Sequence, residues 1–375
     1  MLDVILSLSI SFAVSYLAIP IIIKVAKIKK LYDVPDERKV HATPIPSLGG
    51  LGIFAGFVFG CMLSTNFAQS SEMQYFIAAT LVIFFLGIKD DILILSPIKK
   101  FIGQVLAAFI VIYKGGIQIT SMHGFLGINE LPEMYSLLLT YFTILVVINS
   151  FNLIDGIDGL AGSLGLMVSA LVGIYMLQVG ETAYSILAFS LAGALVAFLL
   201  FNFQPAKIFM GDTGSLLIGL INSILVIKFI NVSESSTMPM SSGPAIGIAL
   251  LFIPLLDTLR VFSIRMLKRR SPFSPDRNHI HHLLLDRGLS HRNIVLALVA
   301  ANIVVIIASV YFSLSVGCTL LVLGISAAFF VGIGILQKTK RPRLFVANLQ
   351  NGAVEGNAIS TKIVPLTKDS VLEQK

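Results

Sequence analysis

The chain has 375 residues, 56% of them hydrophobic and 13% charged, with a mean hydropathy of +0.90. Soluble domains carry roughly 45–50% apolar and ~25% charged residues, so a soluble globular protein is excluded. The formal charge of +7 is first a topology signal, and no nucleic-acid partner is expected from it.

Taken in chain order, apolar runs lie near 2–23, 48–65, 75–88, 100–113, 135–151, 161–178, 185–201, 213–230, 243–262, 293–312 and 317–337. They predict an all-α, polytopic membrane protein of about eleven transmembrane helices, because roughly 17–25 apolar residues cross ~30 Å of hydrocarbon. Runs such as Leu2 to Ile23 and Ile294 to Phe312 are apolar on every face, unlike the period-two strands of a β-barrel. No basic segment precedes the first run, whereas Lys24, Lys27, Lys29 and Lys30 follow it. This predicts an N-terminus outside, no cleavable signal and a cytoplasmic C-terminus. With alternating spans, only Lys114 and Lys228 of the 27 Lys and Arg fall outside, where Asp3, Glu72, Glu130, Glu133, Glu181 and Glu234 also lie. Cys61 and Cys318 fall inside apolar runs without zinc spacing and read as small buried hydrophobes. Residues 1–337 form the transmembrane domain, and 338–375 a polar cytoplasmic tail.

Four inner loops carry acids beside Gly, Asn or His: IKDDILILSP (88–97), NSFNLIDGIDGLAG (149–162), FNFQPAKIFMGDTGS (201–215) and SPFSPDRNHIHHLLLDRGLSHR (271–292). Acids at a membrane edge are costly unless paired, so Asp90, Asp91, Asp155, Asp158, Asp212 and Asp257 on one face suggest a cation site. Adjacent Asp90 and Asp91 repel unless a proton or a cation lies between them. Asp155 and Asp158, three apart, would share one face of a helix. Asp212 opens the eighth run, where it reads equally as a helix N-cap or a metal ligand, and the helix dipole there favours a phosphate. Arg277, His279, His281 and His282 suit an anionic pyrophosphate better than zinc, because no thiolate or fixed i, i+4 pair completes a closed site. In ERKVHATPIPSLGG (37–50), Lys39 and His41 precede two prolines that hold the segment extended, and Gly49 and Gly50 allow close helix packing. Together these parts point to metal-assisted phosphoryl transfer between a soluble nucleotide compound and a lipid phosphate.

KVHATPIPSLGG, the acids at 90–91, NLIDGIDGLAG, the stretch from Asn202 to FMGDTGS, and PDRNHIHH, in this order, resemble the polyprenyl-phosphate N-acetylhexosamine-1-phosphate transferases over about residues 1–335. The HIHH form is similar to the UDP-GlcNAc branch; the peptidoglycan branch, acting on UDP-MurNAc-pentapeptide, usually has three consecutive histidines. One departure is Ile94, where the family often has a third Asp.

The resemblance implies UDP-GlcNAc and undecaprenyl phosphate as substrates, undecaprenyl-pyrophosphoryl-GlcNAc and UMP as products, and Mg²⁺ as cofactor, with Mn²⁺ as the other candidate. It implies Asp212, Asn152 and Asp91 around the metal, and Asp90, Asp91 and Asp158 as the catalytic carboxylates, Asp90 acting either as base or as covalent nucleophile. Lys39, His41, Asp155, Asn202, Arg277, His279, His281 and His282 are implied in substrate binding. Location in the bacterial plasma membrane among membrane lipids follows, and a homodimer stays open. The closer rival is the same reaction on UDP-MurNAc-pentapeptide; the rival from another class is a secondary transporter for a sugar nucleotide or phosphate, which would instead carry ionisable residues near the bilayer midplane.

Overall fold

Each apolar run folds as helix, because backbone taken into hydrocarbon must satisfy its own N–H and C=O groups. The computed structural model describes residues 1–29, 31, 45–93, 95–269 and 278–338. In order these form α1 (Leu2–Lys29), α2 (Gly49–Ser64), α3 (Met73–Ile92), α4 (Pro97–Phe109) continued by a π-helical turn (Ile110–Lys114), and a hairpin of β1 (Ser121–Phe125) and β2 (Ile128–Glu130). There follow α5 (Glu133–Ile154), α6 (Leu160–Gln178), α7 (Thr182–Asn202), α8 (Gly211–Val232), α9 (Gly243–Leu250), α10 (Phe252–Leu267), α11 (Ile280–Leu285), α12 (His291–Phe312) and α13 (Cys318–Lys338). Lys39, His41, Arg277 and the tail from residue 339 lie outside the described residues.

Seven described helices are long and apolar enough to cross a membrane: α1, α5, α6, α7, α8, α12 and α13. The run at 243–262 is broken rather than continuous, and α9 and α10, bent by 84°, make an eighth span if counted together. Pro254, in the first turn of α10, has no N–H to return to Leu250, so the helix cannot continue through it. The expected eleven runs are thus all helical, but α2 has only 16 residues, about 24 Å at 1.5 Å per residue. α3 ends on Lys89, Asp90 and Asp91, and α4 has 13 residues before its π-helical turn.

α8 is the axis of the fold. Its hydrophobic stretch is 83% buried against 22% for α1, and it touches α2, α3, α5, α6 and α7. Around it, close approach comes from small residues, as expected where lipid removes any hydrophobic drive between helices. Ser7, Ser11 and Ser15 form a buried row on α1 facing Gly52, Gly56 and Gly60 of α2, with Ser15 Oγ donating to the Gly52 carbonyl at 2.9 Å. Charges collect at the two ends of α8. Asp212 lies in its first turn, while Lys228, roughly 24 Å along the axis, pairs with Glu181 at 2.8 Å. Cys61 and Cys318 are buried and free.

A Cβ on Gly56 would lie 2.5 Å from the Ser11 carbonyl oxygen, whereas one on Gly334 would meet nothing within 4 Å. Gly56→Ala is therefore expected to cost about 1–3 kcal/mol and lower the melting temperature in detergent by several degrees. Gly334→Ala should melt at or above wild type; equal melting of both variants would contradict the α1–α2 seam.

Candidate active site

The site assembles around the N-terminus of α8, whose first N–H groups have no partner within their own helix. Asp91, from the last turn of α3, supplies one. Its Oδ1 accepts from the Asp212 N–H at 2.7 Å, and its Oδ2 accepts from the Thr213 N–H at 3.1 Å and the Thr213 hydroxyl at 2.5 Å. Asp91, not Asp212, is the residue that caps α8, from another helix. Gly211 makes this possible: its φ is +71°, and a Cβ there would sit 2.7 Å from Asp91 Oδ1. The Pro-rich segment docks alongside, with the Phe209 N–H donating to the Pro46 carbonyl at 2.7 Å and the Gly49 and Gly50 N–H groups donating to Phe209 and Met210.

Freed from capping, the Asp212 carboxylate faces other side chains. Its Oδ1 accepts from Asn152 Nδ2 at 3.0 Å, and its Oδ2 accepts from Lys100 Nζ at 2.6 Å. The same ammonium pairs with Asp90 Oδ2, while Asp90 Oδ1 accepts from the Leu95 N–H at 2.6 Å. Asn152 also donates to Ser215 at 3.0 Å. Lys100, which carries no role in the sequence reading, therefore lies between the two acids. The signal that could have found it is a lysine pair opening an apolar run nine and ten residues after Asp90.

Asp155 and Asp158 do not share a helical face, because α5 ends at Ile154 and α6 begins at Leu160. Gly159, at φ +83°, turns the chain between them as a Cβ-bearing residue rarely does. Burial and the neighbouring carboxylates Asp212, Asp91 and Asp158 hold Asp155 well above the usual carboxylate range. Asp158 is buried, with Oδ2 3.5 Å from His291 Nδ1, another residue the sequence reading leaves aside. Asn202 turns both ends of its amide to backbone, accepting from Gly159 and donating to the Ile208 carbonyl, each at 2.8 Å. It thereby ties the 155–159 turn to the loop after α7.

The histidines divide. His281 is buried against Gly156, where a Cβ would lie 2.7 Å from its Nε2. Its Nδ1 has no partner, and burial together with His282 and His279 pushes its pKa down to about 3. His282 is tilted against it at a centroid distance of 4.3 Å. His279 instead faces protein through both ring nitrogens, Nδ1 2.8 Å from Asp257 and Nε2 3.5 Å from Arg265. Asp257 is thus held by His279 and Arg260, not by the acids around Asp212.

An open cleft lies between the start of α4 and the end of α5. Lys100 and Asn152 line it with the apolar Leu95, Phe101 and Leu153, and Gln104 accepts there from Asn149 at 2.8 Å. Leu93, Ile98 and Phe101 expose apolar surface nearby.

No three acidic, His or Cys side chains among the described residues converge closely enough to enclose a metal. The donor set nevertheless suits Mg²⁺, which usually takes one or two carboxylates plus substrate phosphates. An ammonium already bridges Asp90 and Asp212, so the pair is built to face positive charge.

Carboxylates around an ammonium, at one end of apolar helices and beside a partly apolar cleft, are the site of a multi-pass membrane protein. A model of glycosyl transferase family 4 matches residues 73–230. The probable undecaprenyl-phosphate N-acetylglucosaminyl 1-phosphate transferase of Bacillus subtilis is 35% identical over 298 residues, 77% of this chain and 80% of its own. The decaprenyl-phosphate N-acetylglucosaminephosphotransferase of Mycobacterium tuberculosis H37Rv is 34% identical over 293 residues, 70% of each chain. The undecaprenyl-phosphate alpha-N-acetylglucosaminyl 1-phosphate transferase of Escherichia coli K12 is 32% identical over 290 residues, 74% of this chain and 76% of its own. The chain belongs to the polyprenyl-phosphate N-acetylhexosamine-1-phosphate transferase family.

Asp91→Asn would place an amide NH₂ against donors that now meet oxygens. A loss of about 1–2 kcal/mol in stability is expected, the scale of a lost N-cap, and Thr213→Val, which keeps both backbone donors, should lose less. Wild-type melting of Asp91→Asn in detergent would remove its capping role.

Proposed function

We propose that this protein transfers GlcNAc-1-phosphate from UDP-GlcNAc to undecaprenyl phosphate at the cytoplasmic face of the bacterial plasma membrane, with Mg²⁺ as cofactor and UMP as product. The observation that carries this reading is the Asp90–Lys100–Asp212–Asn152 cluster at a cleft whose wall includes the apolar Leu95, Phe101 and Leu153. One side of the cluster offers carboxylates and a cation to a phosphate, and the other offers apolar surface to a prenyl chain. The names of the relatives supply the sugar and the class of lipid.

In this reading an oxygen of the lipid phosphate attacks the β-phosphorus of UDP-GlcNAc. The bond from that phosphorus to the bridging oxygen breaks, and UMP leaves with the electron pair. The bond between the sugar's anomeric carbon and its oxygen is untouched, so the configuration is kept. A phosphate monoester has a second pKa near ~6, so the lipid is mostly dianionic at pH 7 and Asp90 has at most one proton to remove. Lys100 swings from the carboxylates to the phosphates as substrate enters, an ammonium being a mobile point charge on a flexible stem. His281, whose Nδ1 has no protein partner, and His282 hold the pyrophosphate. Asp212 and Asn152 would hold Mg²⁺, which supplies charge neutralisation on the pyrophosphate oxygens. Asp155 and Asp158 line the donor side from their turn. Asp91 serves the same site by fixing the start of α8.

Purified protein in detergent, given UDP-GlcNAc and undecaprenyl phosphate, should release UMP, stop with EDTA and restart with Mg²⁺. Asp212→Asn should lower the rate by more than about 10²-fold, the scale of a lost transition-state electrostatic contact. Asp286→Asn, on an exposed residue, should stay near wild type. No UMP release without a gradient would favour a transporter. For the cytoplasmic orientation, Leu285→Cys in intact cells should resist a membrane-impermeant thiol reagent; strong labelling would invert the topology.

A further inference from the structure

Behind the imidazoles lies a charged cluster that the reaction above does not use. Asp257, on α10, is 1% exposed, and Arg260, Arg265 and His279 are buried with it. Arg260 Nη2 donates to Asp257 Oδ1 at 2.7 Å and also to the Asn278 carbonyl. His279 Nδ1 lies 2.8 Å from Asp257 Oδ2, and the Ile280 N–H reaches both oxygens at 3.2 Å. The carboxylate thus grips the chain at the residue preceding α11 and at its first residue. From there the rings continue toward the substrate side: His279 lies parallel to His281, at a centroid distance of 5.7 Å and an angle of 4°, and His282 tilts against His281.

Burying an ion pair costs more desolvation than apolar packing of the same volume, so adhesion alone is a poor reason for this cluster. What a carboxylate held at both oxygens by Arg260, His279 and the Ile280 N–H supplies is one geometry. We propose that Asp257 is a positioning residue for donor binding: balanced by Arg260, it holds His279 and the Ile280 N–H so that His281 and His282 meet the pyrophosphate, and His279 acts through this link without touching substrate. This rests on the reading of His281 and His282 as pyrophosphate contacts.

The test is equilibrium binding of UDP-GlcNAc and of UMP to the purified full chain in detergent, so it does not depend on turnover. Asp257→Asn should weaken UDP-GlcNAc by at least about 10-fold while changing UMP, which lacks the second phosphate, by less than about 3-fold. His279→Asn, whose amide can donate to Asp257 where the ring now does, should keep UDP-GlcNAc affinity within about 3-fold, and His279→Leu should lose it as Asp257→Asn does. Equal weakening of both ligands in Asp257→Asn, as from general loosening, would overturn the proposal. So would equal losses in His279→Asn and His279→Leu, as from a direct ligand. If Asp257→Asn does not fold, the two His279 variants decide alone. Wild type that binds UDP-GlcNAc but releases no UMP would refute the transferase reading and leave this link standing.

Discussion

The arrangement depends on a carboxylate from one helix meeting the open N-terminus of another. α8 is the most enclosed of the seven candidate spans among the described residues, and the N–H groups of Asp212 and Thr213 at its start meet Asp91 of α3. Helix N-termini carry about half a positive charge, and at a membrane edge that charge needs a partner. With Asp91 in that place, α3 and α8 are locked together, and Gly87 of α3 packs directly on the Thr213 backbone. Asp212 is thereby released from its own helix end, and its two oxygens turn to Asn152 and Lys100.

The acids at this face divide by how each negative charge is met. Asp91 is met by backbone N–H groups, Asp257 by Arg260 and His279, and Asp90 and Asp212 by a single shared ammonium. Asp155 faces three other carboxylates, and its raised pKa follows from burial first and their repulsion second. Charges with fixed local partners build the frame, whereas Asp90 and Asp212 share one ammonium on a flexible stem. The division separates Asp91, Asn202 and Asp257, whose partners are backbone or fixed side chains, from Asp90 and Asp212, which share Lys100.

The same logic explains the glycines that matter most. Gly211 lets Asp91 approach the start of α8, and Gly156 admits the His281 ring. In both places a side chain from another element lies against the space a Cβ would take. Backbone conformation and side-chain chemistry are here one constraint.

Hydrophobic run length and the bias of Lys and Arg, both legible one residue at a time, determined the all-α membrane class and the expected sidedness. Composition and order of motif residues likewise determined which loops carry the acids and histidines. Tertiary structure decided what each acid does, because capping and ion pairing depend on which helix end comes near. It made Asp91 the cap and turned the Asp212 carboxylate to Asn152 and Lys100, set Asp155 and Asp158 in a turn, and turned His279 toward Asp257. Lys100 and His291 carried no role at the level of sequence for the same reason: a basic residue at the start of an apolar run has no partner until the fold brings a carboxylate to it. A sequence states which charges exist, and only packing determines which of them share a dielectric environment and a partner.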